Sequence, residues 1–192
     1  MKDFKIAQKV IRLCGREVEN LGEAFRCPIH KDERPSVALW RGKNGKIVLH
    51  EFHDGDNFIT LAEVYAAFIC RKNMRLKKGE LITWWLRVLE DIGHIEPPVV
   101  TFKKLPEDTP ESTKKLYAGF IRLLRLRKVY DSTQTAAPFS WSFALNWCGI
   151  GSMATVSKSM KWLLSNGYIK MIEKGCKIGE GTKAALFVLG GD

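Results

Sequence analysis

Between His94 and Ser112 the chain reads HIEPPVVTFKKLPEDTPES, and four of its seven prolines fall there, at Pro97, Pro98, Pro106 and Pro110. Each removes a backbone donor and fixes φ, so neither a long helix nor a central strand can run through the stretch. No apolar period survives in it for long either. Residues 94–111 are therefore read as a linker, which divides the 192 residues into two small cores, a domain over 1–93 and another over 112–192.

The longest apolar runs, YAAFI and LITWWL, fall far short of the roughly 20 residues that a membrane span needs, and the start MKDFK lacks the apolar stretch of a secretory signal. A cytoplasmic protein with no membrane partner is expected. The five cysteines, an odd and widely spread set, argue for a reducing compartment rather than a disulfide framework.

In the first half, Phe4, Ile6, Ala7, Val10, Ile11 and Cys14 recur near a helical period, so a short helix is expected over 3–14. EVENLGEAFRC (17–27) and PSVALW (35–40) read as strands. An Asn-Gly turn at 44–45 leads into a third strand, apolar at Ile47 and Leu49, giving a small antiparallel sheet. Thr60 followed by Glu63 is a capping-box pattern opening a helix, and KGELITWWLRVLEDIG (78–93) completes a second.

Cys27, His30, His50 and His53 form a C-x2-H-x19-H-x2-H pattern that takes in three of the chain's four histidines. Thiolate and imidazole bind zinc at neutral pH, and two such pairs at strand ends can meet in one tetrahedral site. With all four positions filled by protein, the Zn2+ would be structural. A metal-free remnant is the alternative.

CPIHKDERPSVAL, with the later HEFHDGDNFITLAEVYAAF, resembles the zinc-binding domain of bacterial DNA primases over about residues 4–70. The family pattern is Cys-Pro-x-His, a charged run, Pro-Ser and a strand, then a Cys-x2-Cys knuckle, a Gly-Asp pair and an apolar helix. Cys27, Pro28, His30, Asp32, Glu33, Pro35, Ser36, Gly55 and Asp56 match it, whereas His50 and His53 stand where the family has cysteines. The resemblance implies a module that contacts single-stranded DNA. Arg34, Trp40, Arg41, Lys43 and Lys46 are of the right types for that, cations for phosphate and an indole for stacking, unless Trp40 is core.

The second half is expected to be mainly helical. Leu116, Tyr117, Phe120, Leu123 and Leu124 mark the inner face of a long helix, with Arg122, Arg125 and Lys128 on the other side. After a polar loop come a short helix to Trp147, the turn CGIGS, and a helix capped by Ser152 with Val156, Met160, Leu163, Leu164 and Ile169 as core. Strand YIKMIEK, loop GCKIGEGTK and strand AALFVLG would form a two-stranded wing. The run GIGSMATVSKSMKWLLSNGYI resembles the recognition segment of winged-helix DNA-binding proteins. That places Met153, Thr155, Ser157, Lys158 and Lys161 toward a major groove, Lys174, Lys177 and Lys183 on or near the wing, and Arg122 and Arg125 among the phosphate-binding candidates.

Charge favours the same partner. The net charge is +10, and residues 112–178 hold eleven Lys or Arg against two acids. No clustered carboxylates, Walker-type phosphate loop or nucleophile–base pair can be assembled, so a binding protein rather than an enzyme is expected. The fold class is α+β, a zinc-ribbon-like antiparallel sheet with flanking helices followed by a winged helix-turn-helix. The function is a DNA-binding accessory factor of replication or of a mobile element, binding duplex through the winged helix and single strands through the zinc domain, alongside replication proteins. A non-catalytic subunit of a primase complex and a transcriptional regulator are the alternatives.

Overall fold

The computed structural model describes residues 2–52, 57–72, 74–178 and 181–191. They form a mixed α and β fold of six helices and nine strands, in two compact units, 1–96 and 97–192. Among the described residues no helix is long and apolar enough to cross a membrane.

The first unit runs α1 (Lys2–Leu13), β1 (Ala24–Phe25), β2 (Val37–Arg41), β3 (Ile47–Glu51), β4 (Asn57–Thr60), α2 (Leu61–Cys70) and α3 (Lys78–Asp91). Its strands make one antiparallel sheet in the order β1-β2-β3-β4. Gly45 takes φ +75° in the turn joining β2 to β3, a conformation that glycine adopts without a Cβ penalty. Leu39, Leu49 and Ile59 stand opposite one another in register and are all buried, as are Ala7, Val10 and Ile11 of α1 and Leu61, Val64 and Tyr65 of α2. The capping box is complete: the Thr60 hydroxyl accepts the Glu63 N–H, and Glu63 accepts the Thr60 N–H at 3.0 Å. The buried Glu63 carboxylate also accepts the Leu76 N–H at 3.3 Å, fixing the chain between α2 and α3.

The strand expected over 17–27 is confined to β1. Upstream, the Glu23 carboxylate accepts the N–H groups of Glu19 and Asn20 at 3.0 and 2.9 Å, and Gly22 turns at φ +80°. A side chain that captures local backbone donors competes with a sheet ladder.

The second unit runs α4 (Glu111–Tyr130), β5 (Ala136–Pro138), α5 (Trp141–Trp147), α6 (Met153–Ser165), β6 (Ile169–Glu173), β7 (Cys176–Ile178), β8 (Gly181–Lys183) and β9 (Leu186–Leu189). An antiparallel sheet has the order β5-β9-β6, and β7 and β8 pair as a separate hairpin between β6 and β9. The expected loop 175–183 is therefore largely hairpin, and the polar loop after α4 contains β5. Just past β5 the Phe139 N–H donates to the Ala185 carbonyl at 3.2 Å, and Pro138 stands opposite Leu186, so the missing donor of Pro138 falls on the open edge.

Leu116, Phe120, Leu123 and Leu124 of α4 are buried, as are Val156, Met160 and Leu163 of α6 and Phe139 and Phe187 beneath them. Leu164 is only half-buried. The Ser152 hydroxyl caps α6 by accepting the Thr155 N–H at 3.2 Å. A Cβ on Gly190 would lie 1.7 Å from the Gly167 carbonyl oxygen, so the return of β9 beside the end of α6 requires glycine there. Residues 97–110, read as part of a linker, carry no helix or strand yet are fastened to α4. Arg125 donates to the carbonyls of Pro97 and Pro98 at 3.1 and 3.0 Å, and the Tyr117 hydroxyl donates to the Lys103 carbonyl at 3.1 Å.

Candidate metal and nucleic-acid sites

Cys27 follows β1 and is fully buried, and the chain turns so that Ile29 N–H donates to its sulfur at 3.4 Å. Burial raises the Cys27 thiol pKa, the N–H groups of Ile29 and His30 pull it down, and the carboxylates of Glu51 and Asp32 push it up. The N–H donors suit a thiolate, and the surrounding negative charge suits a cation beside it.

Cys27, His30 and Asp32 each offer a ligand atom within 4.8 Å of the others, a group that could hold a metal ion. Asp32 is positioned by the Ser36 hydroxyl, which donates to it. Glu51 lies behind the group, 7% exposed, with an oxygen 3.5 Å from His30 Nδ1 and a hydrogen bond from Asn57 Nδ2 at 2.6 Å. Spacing alone had not singled out Asp32 or Glu51 as ligands. The available signal was Cys-x2-His-x-Asp within one turn, and a glutamate at an inward position of a strand.

His50 does not join the group. Side chains alternate along β3, with Ile47, Leu49 and Glu51 buried, so His50 emerges on the opposite face of the sheet from Glu51. There its ring stacks on Phe58 and meets Phe52 and Trp40 edge-on, at centroid distances of 4.6, 5.1 and 6.2 Å. His53, the fourth expected ligand, lies outside the described residues.

The face that receives His50 is an aromatic surface. Trp40 is 51% exposed, Phe52 48% and Phe58 46%, so Trp40 is not a core residue. Arg34, Arg41, Lys43 and Lys46 are all exposed, although Arg41 donates to the Gly45 carbonyl at 2.7 Å and so also braces the turn.

In the second unit Met153, Lys158 and Lys161 are exposed on α6, while Thr155 and Ser157 are half-buried and the Thr155 hydroxyl pairs with Ser152 at 2.8 Å. Lys174 is exposed after β6, and Lys177 lies in β7. Lys183 on β8 forms an ion pair with Glu173, which raises its pKa and neutralises part of the charge expected near the wing. Arg122 is half-buried. Arg125, expected among the phosphate contacts, instead holds the Pro97 and Pro98 carbonyls, backbone acceptors that lie within reach of its guanidinium.

No protein-family model, curated protein or solved structure matches the chain.

Proposed function

We propose that the chain is a DNA-binding protein, not an enzyme, in which the second unit is a winged helix that grips duplex DNA and the first is a primase-like zinc domain that engages single strands. The observation that carries the reading is the order of elements around α6. Helix, strand, helix, helix, strand, hairpin, strand, with β9 between β5 and β6, is the arrangement in which a winged helix presents its recognition helix beside a wing. Lys158 and Lys161 lie on the solvent side of α6, and Lys170 and Lys174 follow along β6 and beyond it. Phosphate contacts from such residues supply most of the affinity and little of the sequence preference.

In the first unit, a structural Zn2+ would be held by Cys27, His30 and Asp32, with Glu51 the nearest further carboxylate. The donor set of one thiolate, one imidazole and one or two carboxylates is one that zinc accepts. Its role is to tie the turn after β1 to β3. A part in replication or in a mobile element follows only from the primase resemblance.

The test is binding of the intact chain to duplex and single-stranded oligonucleotides across salt concentration. The reading requires duplex affinity that falls steeply with salt. Absence of binding at low ionic strength sinks it.

A further inference from the structure

The exposed sheet face of the first unit does not end at its aromatic rings. Along that face Trp40 stands opposite Val48, His50 opposite Phe58, and Val48 opposite Thr60, so Val48 and Thr60 continue the row that carries the rings. Both also line an open pocket of about 520 Å3, whose other walls come from α1, the turn after β2, the start of α2, and α3. Its volume lies within the range of about 300–1,000 Å3 of small-molecule sites.

The lining combines three chemistries. Trp85 and Ile82 of α3 supply an aromatic ring and an apolar wall; Ile82 is 49% exposed. Asp3 of α1 contributes a carboxylate, and Asn44 uses its amide oxygen on the Lys46 backbone N–H at 3.1 Å, which leaves its NH2 as a donor. Lys46, an exposed residue, is the cation among the lining side chains.

We propose that this cavity binds one nucleotide, its base against Trp85, an amino-bearing base edge on Asp3 and Asn44, and its phosphate on Lys46. On this edge a carboxylate accepts from the exocyclic amino group of cytosine, adenine or guanine, whereas thymine, with an O4 acceptor there, offers it only the ring N3–H, so amino-bearing bases are preferred to thymine. The continuous row from the rings to the cavity makes a single strand the natural source, its bases stacked on Trp40 and Phe58 and one nucleotide seated at the end. The inference rests on the reading of the first unit as a single-strand binder, and a free nucleotide would satisfy the same chemistry.

The experiment uses the full chain, with dCMP, TMP, oligo(dC), oligo(dT) and a duplex as probes. Amide and indole NMR signals follow the mononucleotides, and fluorescence anisotropy follows the labelled strands. The expected result is saturable binding of dCMP with shifts at Val48, Thr60 and the Trp85 indole, and weaker binding of TMP. Asp3→Asn should erase that preference. Ile82→Trp, which fills the cavity from a partly exposed position, should abolish dCMP binding and weaken oligo(dC) by about tenfold, with duplex affinity unchanged. Oligo(dC) binding much tighter than dCMP supports the strand as source, and equal affinities support the free nucleotide. No dCMP shifts, shifts confined to α6, or an Ile82→Trp protein that binds as the wild type overturns the proposal. If the wild type binds duplex and single strands but the cavity variants change nothing, the cavity alone falls. Binding of dCMP without any duplex binding removes the duplex reading and leaves the cavity.

Discussion

The imidazole of His50 lies nearly flat on the ring of Phe58, with 4.6 Å between centroids and 17° between planes. A ring held there faces away from Cys27, so the histidine belongs to the aromatic surface and the metal group draws on Asp32 instead. Metal content should follow that division. Protein purified with zinc should lose bound metal in Cys27→Ser and His30→Ala, and keep it in His50→Ala, as read by elemental analysis after dialysis. Loss of metal in His50→Ala would reinstate the histidine as a ligand.

Lys158→Ala combined with Lys161→Ala removes two exposed cations from α6. Duplex affinity should fall, and the slope of log K against log salt should flatten by about 2, because each phosphate contact contributes a slope of about 0.9. Titration of a labelled duplex at several salt concentrations measures both. An unchanged slope would move the DNA surface off α6.

Arg125→Ala should behave in the opposite way. Its guanidinium holds the Pro97 and Pro98 carbonyls, and loss of these charge-assisted bonds should cost about 1–3 kcal/mol of stability. Duplex affinity of the folded variant should match the wild type. Thermal melting and the same titration separate the two effects.

Cys14 is 2% exposed, and burial pushes its thiol up to about 12. An unfolded thiol titrates near pH ~8.5, so the native state holds this proton more tightly than the unfolded chain does. The resulting stability is fully present below about pH 8.5 and is lost as pH rises toward 12, at up to about 1.4 kcal/mol per pH unit. Denaturant melts from pH 8 to 11 should show a steeper alkaline decline in the wild type than in Cys14→Ala. Parallel declines would mean that the thiol does not couple to folding.

A methyl group on Gly119 would come within 2.3 Å of Cys148 Sγ, where α4 meets the end of α5. Gly119→Ala should destabilise by about 1–3 kcal/mol despite the better helix propensity of alanine. Adding Cys148→Ala should restore much of the loss, since it removes the atom that is struck. Melting of the two single variants and the double variant completes the cycle.

Features written in neighbouring residues were legible from the sequence. The Thr60–Glu63 capping box and the Ser152 cap each depend on atoms a few positions apart, and both are present, whereas the two-residue turn expected at Asn44-Gly45 is a longer loop, closed by the Gly42 N–H on the Lys46 carbonyl with only Gly45 at positive φ. What the sequence hid depends on pairing across distance. β5 is three residues long and ends in Pro138, and it exists because β9 returns beside it. The hairpin of β7 and β8 sits in a glycine-containing stretch whose composition reads as loop. The metal group was half legible: Cys27 and His30 share one turn, but His50 was enlisted by spacing alone. One step of strand parity decides between His50 and Glu51, and the buried alternation of Ile47 and Leu49 already assigned the inward side to Glu51.

Pro138 also shapes how these molecules can meet one another. The border it occupies lacks an N–H where an incoming chain would seek one, so head-on polymerisation through β5 is interrupted at its first rung. Extension of this sheet by a second copy is thereby left to the opposite border, β6, where Lys170 stands exposed.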